Sequence, residues 1–237
     1  MQRTITEAII NRRTSKKSLD QPVSLELIYQ LLEKASYAPF HKREPWQAKI
    51  VTTPAEKDWL YEKVIATYER KGLIHDEESQ QKFTTKMTRL LKEAPATILF
   101  AREQIPENPR LDSDAIQATA ALIQNFSLLA YEEGLVGFWA SSPFVMDQEL
   151  SEELGFPANY QLIANYRLGY ANPTLSTPKA KRSPVKRWAS SLLKKNAMHS
   201  GSTECMAFLV RTEGLVQNQQ LNPRCLQFHT TIARVWG

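Results

Sequence analysis

Apolar residues recur at helical spacing over several stretches of this chain. Ile5, Ala8, Ile9 and Ile10 mark a short first helix that Thr4 or Thr6 can cap. Ser24, after Pro22, stands as N-cap of a second helix whose Leu25, Ile28, Leu31, Leu32 and Ala35 share one face. Pro39 ends it. Pro54 opens a third helix holding Trp59, Leu60, Val64 and Ile65. Residues 67–93 are strongly charged, with weaker patterning around Phe83, Met87, Leu90 and Leu91, and predict helix and exposed loop. The longest helix is expected over 112–133. There Ala115, Ala118, Thr119, Leu122, Ile123, Phe126, Leu129 and Ala130 form a wide, small-residue face, and Gly134 stops the run. Such a face suits a core helix, and equally a close contact with a helix of a second subunit. Asp147 predicts the cap of a short helix to Leu154. Ser183-Pro184 carries the N-cap and N1 signature of a final helix through Lys194.

Strand patterns lie between the helices. Residues 48–52 read as a strand, 96–101 as a short buried one after a proline, and 134–143 as a helix stop, a strand and a turn. Over 160–170, Leu162, Ala164 and Tyr166 alternate with Ile163, Asn165 and Arg167. After about residue 195 the chain is short of charge and helical periodicity. Residues 196–237 are expected to be a poorly ordered extension, and 1–195 the folded domain.

Composition narrows the class. The 237 residues are 42% hydrophobic and 23% charged, as in an ordinary soluble domain. Only 8 glycines occur, and neither G-x-G-x-x-G nor the Walker pattern is present. The two cysteines, Cys205 and Cys225, are too few and too late for a disulfide framework or a zinc site, so no metal site is expected. The first residues carry no long apolar run, and no stretch approaches a membrane span. No signal peptide and a reducing cytoplasm are therefore expected. The net charge of +5 suits a phosphate-bearing cofactor or a nucleic acid. Against nucleic acid, the basic stretch 179–195 lacks interleaved aromatic platforms beyond Trp188.

Four segments carry candidate chemistry. Arg12-Arg13-Thr14-Ser15-Lys16-Lys17 sets guanidiniums, hydroxyls and ammoniums where they can wrap a phosphate, or where they simply suit a helix C-terminus. Between Pro39 and Pro45 a rigid connection holds His41, Lys42, Arg43 and Glu44, with Trp46 as a large anchor. The third segment is Gly134-Leu135-Val136-Gly137-Phe138-Trp139-Ala140-Ser141-Ser142-Pro143. The fourth, Lys179-Ala180-Lys181-Arg182, precedes Ser183-Pro184.

In this order and at these separations the motifs resemble the nitroreductase family of flavin enzymes, over roughly residues 3 to 188. The resemblance implies an α+β three-layer sandwich, a mixed sheet of about four or five strands flanked by helices. It implies a homodimer with FMN at the subunit interface and the 112–133 helix as a main contact. It also implies an FMN-dependent oxidoreductase with ping-pong hydride transfer. NADH or NADPH reduces the flavin and leaves, and a nitroaromatic, quinone or similar acceptor follows. Arg12, Arg13 and Thr14 would hold the FMN phosphate, with Lys16 where many members carry an arginine. Arg182 would return to the same phosphate. His41 and Glu44 would lie beside the flavin ring and ribityl chain. Backbone of the turn at Trp139, Ala140, Ser141 and Ser142 would meet the flavin edge near N5. Ala140 and Ser142 depart from the family's turn, and Ser142 would be strained if a positive φ were needed there. No side chain is expected to do covalent work, because the flavin carries the chemistry. Two other classes stay open: a flavin-fold enzyme of dehalogenase or oxidase type that does not use nicotinamide, and a basic nucleic-acid-binding module.

Overall fold

A computed structural model describes residues 4–176 and 180–192. The chain divides into two units, Met1–Ala180 and Lys181–Gly237. The first contains α1 (Ile5–Asn11), α2 (Leu25–Ala35), β1 (Trp46–Val51), α3 (Pro54–Arg70), α4 (Glu77–Met87), β2 (Ala96–Glu103), α5 (Pro109–Glu132), β3 (Leu135–Ala140), α6 (Gln148–Glu153) and β4 (Tyr160–Tyr170).

Local chemistry sets the element boundaries. Thr4 caps α1 and Thr53 caps α3, each through a reciprocal capping box, with Glu7 and Glu56 as the returning carboxylates. Ser24 caps α2 through the Leu27 N–H. The long helix begins earlier than the apolar pattern indicates, because the Asn108 side chain accepts from the Leu111 N–H and Pro109 occupies N1. The charged stretch 67–93 is more helical than expected. α3 continues to Arg70, and α4 runs into a π-helical turn over Thr88–Lys92 that buries Leu90 and Leu91.

The strands order β1-β2-β4-β3, and all three ladders are antiparallel. Among the described residues, parallel pairing occurs only at the isolated bridge between Thr14 and Gly137. The expected mixed sheet is thus antiparallel in its named strands, because each neighbour enters from the opposite end. Helices cover both faces. On one, α2 and α5 bury Ile28, Leu31, Leu122, Ile123 and Phe126 against Phe100, Tyr166 and Leu168. On the other, α3, α4 and α6 bury Leu60, Val64, Tyr68, Met87 and Leu150 against Leu99, Ala101 and Leu162.

α5 packs its small residues inward. Ala115, Ala118 and Ala130 are buried within this chain, against α2 and the sheet. Apolar surface is left outside on Ile116 and on α1, where Ile5, Ile9 and Ile10 are all exposed.

The segment after β3 is tied down by Asp147. Its carboxylate caps α6 through the Leu150 N–H and takes Arg70 at 2.6 Å and Lys71 at 2.9 Å from the end of α3. Burial pushes the Asp147 carboxyl up, but the Leu150 N–H, Lys71 and Arg70 outweigh it and hold it below the usual carboxylate value. The unfolded carboxyl titrates at about 3.9. Its contribution is therefore full above that value and is lost as pH falls through the lower, folded pKa. Asp147→Asn is expected to cost about 1–2 kcal/mol at pH 7. Urea denaturation should show the gap to the parent closing as pH falls below about 3.9.

In the second unit the described residues form no long helix. Val185–Arg187 make a single 3-10 turn, and Trp188 and Leu192 are exposed. The helix expected from Ser183 is absent there up to Leu192, because those side chains bury nothing in this unit and short helices need packing to persist. Residues 193–237, including the expected extension and both cysteines, lie outside the described residues.

Candidate functional site

α1 ends at Asn11, and Arg12 leaves the helix with extended ψ while its N–H still bonds the Ala8 carbonyl. The chain then runs along the outer edge of β3. Thr14 bridges Gly137, the Ser15 N–H donates to the Gly137 carbonyl at 3.0 Å, and the Leu19 N–H donates to Tyr170 at 2.9 Å. The first basic cluster is thereby laid beside β3, which ends in Trp139 and Ala140, still paired with Tyr166 and Asn165 and not in the expected turn, and which leads into the turn beginning at Ser142.

Gly137 is required by what lies opposite. A Cβ there would stand far inside van der Waals contact with Cε1, Oη and Cζ of Tyr166. Tyr166 is buried, its hydroxyl bonds Ser127 at 2.8 Å, and its ring meets Phe126 edge-on at 5.4 Å. Burial raises the Tyr166 hydroxyl, with Ser127 and the nearby Arg12 guanidinium pulling it back. Arg12 is half-buried, and its Nε is buried with no partner. Arg13 turns one Nη onto the Arg12 carbonyl at 2.6 Å. Lys16 is exposed and places its ammonium 5.2 Å from the centre of the Phe138 ring. Cationic donors thus collect at one edge, with a buried N–H unspent. This donor set fits a phosphate.

Downstream, Trp139 and Ser141 are exposed, while Ala140 and Ser142 are buried. Ser142 is unstrained. Among the described non-glycine residues, only Lys42 and Met146 have positive φ, at 66° and 73°. The Val145 N–H closes this turn on the Ser142 carbonyl at 2.9 Å. Burial pushes the Tyr68 hydroxyl, beside Ser142 and Phe144, up to about 12.

His41 and Glu44 are both exposed, on the loop before β1. They are not brought to Arg12. β1 and β3 are opposite edges of the sheet, about 14 Å apart at three inter-strand spacings. The two places also differ along the strands. Gly137 stands opposite Leu168 and hence level with Ala96, whereas Trp46 is level with Arg102. Those six residues of β2 add roughly 20 Å. Arg182 belongs to the second unit, where it is exposed and donates to the Lys181 carbonyl at 3.0 Å.

Comparison with known proteins places the chain in a family. The model of the Nitroreductase family matches residues 9–170. The chain belongs to the nitroreductase family. Among its relatives is the Bacillus subtilis protein YfhC, whose name describes a presumptive NAD(P)H nitroreductase. The two are 31% identical over 183 residues, covering 77% of this chain and 91% of YfhC. Chloronitrobenzene nitroreductase of Comamonas testosteroni is 22% identical over 76% of this chain and 92% of its own length. A nitroreductase-like family protein from Bacillus cereus superposes with TM-score 0.70 at 26% identity, covering 81% of this chain and 97% of that one. A nitroreductase from Bacteroides fragilis, solved with bound FMN, shares the fold with TM-score 0.61 at 20% identity, over 81% of this chain and all of that one.

Several contacts that shape the site escaped sequence reasoning. Tyr166 reads there as one apolar position in an alternating strand, and its role against Gly137 needs the β3–β4 register. Met146 and Asp147 hold the loop after β3 by backbone geometry and by ion pairs to α3, which is distant in sequence. Arg43 and Glu103 meet across 60 residues. Of these, only the polar neighbourhood of Asp147 as a helix cap carried a local signal.

Proposed function

We propose that this chain is an FMN-dependent oxidoreductase that accepts hydride from NADH or NADPH and delivers it to a nitroaromatic, quinone or similar small acceptor by a ping-pong sequence. The observation that carries the reading is the Thr14–Gly137 bridge, which joins the basic cluster to the strand that ends in Trp139 and Ala140 and continues into Ser141 and Ser142. Arg12, Arg13, Thr14 and Lys16 would hold the FMN phosphate, with Arg182 as a further donor. Backbone of Trp139, Ala140, Ser141 and Ser142 would face the flavin edge. When bound, the flavin supplies the hydride chemistry. The protein's part is to neutralise the phosphate and to fix the ring.

His41 and Glu44 sit at the opposite corner of the sheet. We read them as contacts to the flavin held by a second copy of this chain, which makes a homodimer the working unit. Exposed Ile5, Ile9, Ile10 and Ile116 supply apolar surface for it. Ile9→Lys is expected to convert dimer to monomer in sedimentation velocity and to lower the flavin content with it. An Ile9→Lys protein that stays dimeric would remove α1 from the interface.

The test of function is direct. The purified protein should show flavin absorbance and, with FMN, should oxidise NADH or NADPH faster when a nitroaromatic or quinone is added. Flavin absorbance without nicotinamide oxidation under either condition would favour the dehalogenase or oxidase type.

A further inference from the structure

The loop before β1 contains a strained residue and a lock. Lys42 has φ of 66°, in the left-handed region that a lysine adopts at a cost. The Arg43 N–H closes a tight turn on the His41 carbonyl at 2.9 Å. Arg43 then forks onto Glu103, with Nε to Oε2 at 3.0 Å and Nη2 to Oε1 at 2.5 Å. This is the planar two-bond pairing that fixes orientation as well as distance.

The two partners are unequal. The Glu103 side chain is only 8% exposed, whereas that of Arg43 is 70% exposed. Glu103 is the last residue of β2, and its N–H donates to the Pro45 carbonyl at 2.7 Å. Asn159 adds a bond to the same carboxylate at 3.3 Å. Rigid sheet thus offers a buried anion, and the loop reaches it with one guanidinium. On the far side of the turn, Phe40 packs edge-on against Trp46 at 5.5 Å. His41 is left between these anchors, exposed, on the wall of a cleft of about 420 Å³ shared with Ile105, Leu111 and Ala115.

We infer that Arg43 is a positioning residue: its ion pair with Glu103 holds the strained His41–Arg43 turn in the one conformation that presents His41 to the flavin. The inference rests on the reading that His41 contacts FMN, and it adds what fixes that contact. A strained turn persists only where its surroundings over-determine it. With the fork removed, the turn relaxes and His41 loses its aim, although the sheet beneath is unchanged.

The experiment is a double-mutant cycle in the full-length protein, reading the FMN dissociation constant by fluorescence quenching and the flavin midpoint potential by dye equilibration. His41→Ala should weaken FMN about tenfold, the scale of one lost hydrogen bond or packed contact. Arg43→Ala should weaken it by a similar factor and shift the potential in the same direction. The double variant should be no worse than either single one. Arg43→Lys should recover part of the loss, and Glu103→Gln, which keeps the shape but not the charge, should resemble Arg43→Ala. A merely structural Arg43 would weaken FMN by the same factor with or without His41, and that additivity overturns the inference. Full effect in His41→Ala with none in Arg43→Ala also overturns it. No effect in His41→Ala overturns both this inference and the contact beneath it. A parent protein that binds no FMN removes the whole functional reading.

Discussion

Arg12→Ala is expected to weaken FMN binding about 30-fold, corresponding to about 2 kcal/mol for a charge-assisted hydrogen bond. The guanidinium is half-buried beside Tyr166, and its Nε is shut away from solvent without a partner. An unsatisfied buried donor on a cation is poised for an anion, and a phosphate oxygen would satisfy it. Arg12→Lys keeps the charge but lacks the planar fork, so it should recover only part of the affinity. Fluorescence titration of the apoprotein with FMN measures both. Raising salt should weaken binding by the parent more than by Arg12→Ala, because one screened contact is already gone. Equal FMN affinity in parent and Arg12→Ala would mean that the phosphate lies elsewhere.

Gly137→Ala should be the most damaging single methyl in the described core. Its Cβ would occupy the space of the Tyr166 ring, which is held by Ser127 on one side and by Phe126 on the other. Neither strand can yield without breaking the β3–β4 ladder, in which Gly137 faces Leu168. Overpacking of this kind costs about 3 kcal/mol. The loss should reach the site as well, since the Gly137 carbonyl receives the Ser15 N–H and aligns the basic cluster. Urea denaturation and FMN titration should therefore fall together. Tyr166→Leu in the same chain should restore part of the stability by making room. Gly137→Ala with parental stability would show that the ring moves aside freely.

The two predictions differ in how visible they are from residues alone. The Arg12–Lys17 cluster is legible as a local concentration of charge, and its place at a helix end follows from the capping of α1. Gly137 is legible only as a glycine in a short strand. What makes it necessary is Tyr166, 29 positions further on and brought opposite by register. The helix expected from Ser183 shows the converse limit. Ser183 forms no side-chain cap, Pro184 being the residue that precedes the single 3-10 turn, and a cap signature cannot supply the packing that sustains a helix.

Sequence alone determined the helix caps at Ser24 and Asp147, narrowed that of α1 to Thr4 or Thr6, placed the start of α3 at Pro54, and set the apolar stripes of α2 and α5 and the alternation of β4. These rest on interactions within a few residues, where spacing and side-chain chemistry suffice. It also determined the order of the basic and aromatic motifs that carry the family likeness. Tertiary structure decided the antiparallel order β1-β2-β4-β3 and the inward facing of the α5 alanines. It also decided the strain at Lys42 and its lock on Glu103, and the separation of Arg12 from His41 to opposite corners of one sheet. Each of those depends on which distant segments become neighbours. That is chosen by the burial of whole faces together, and no local pattern encodes it.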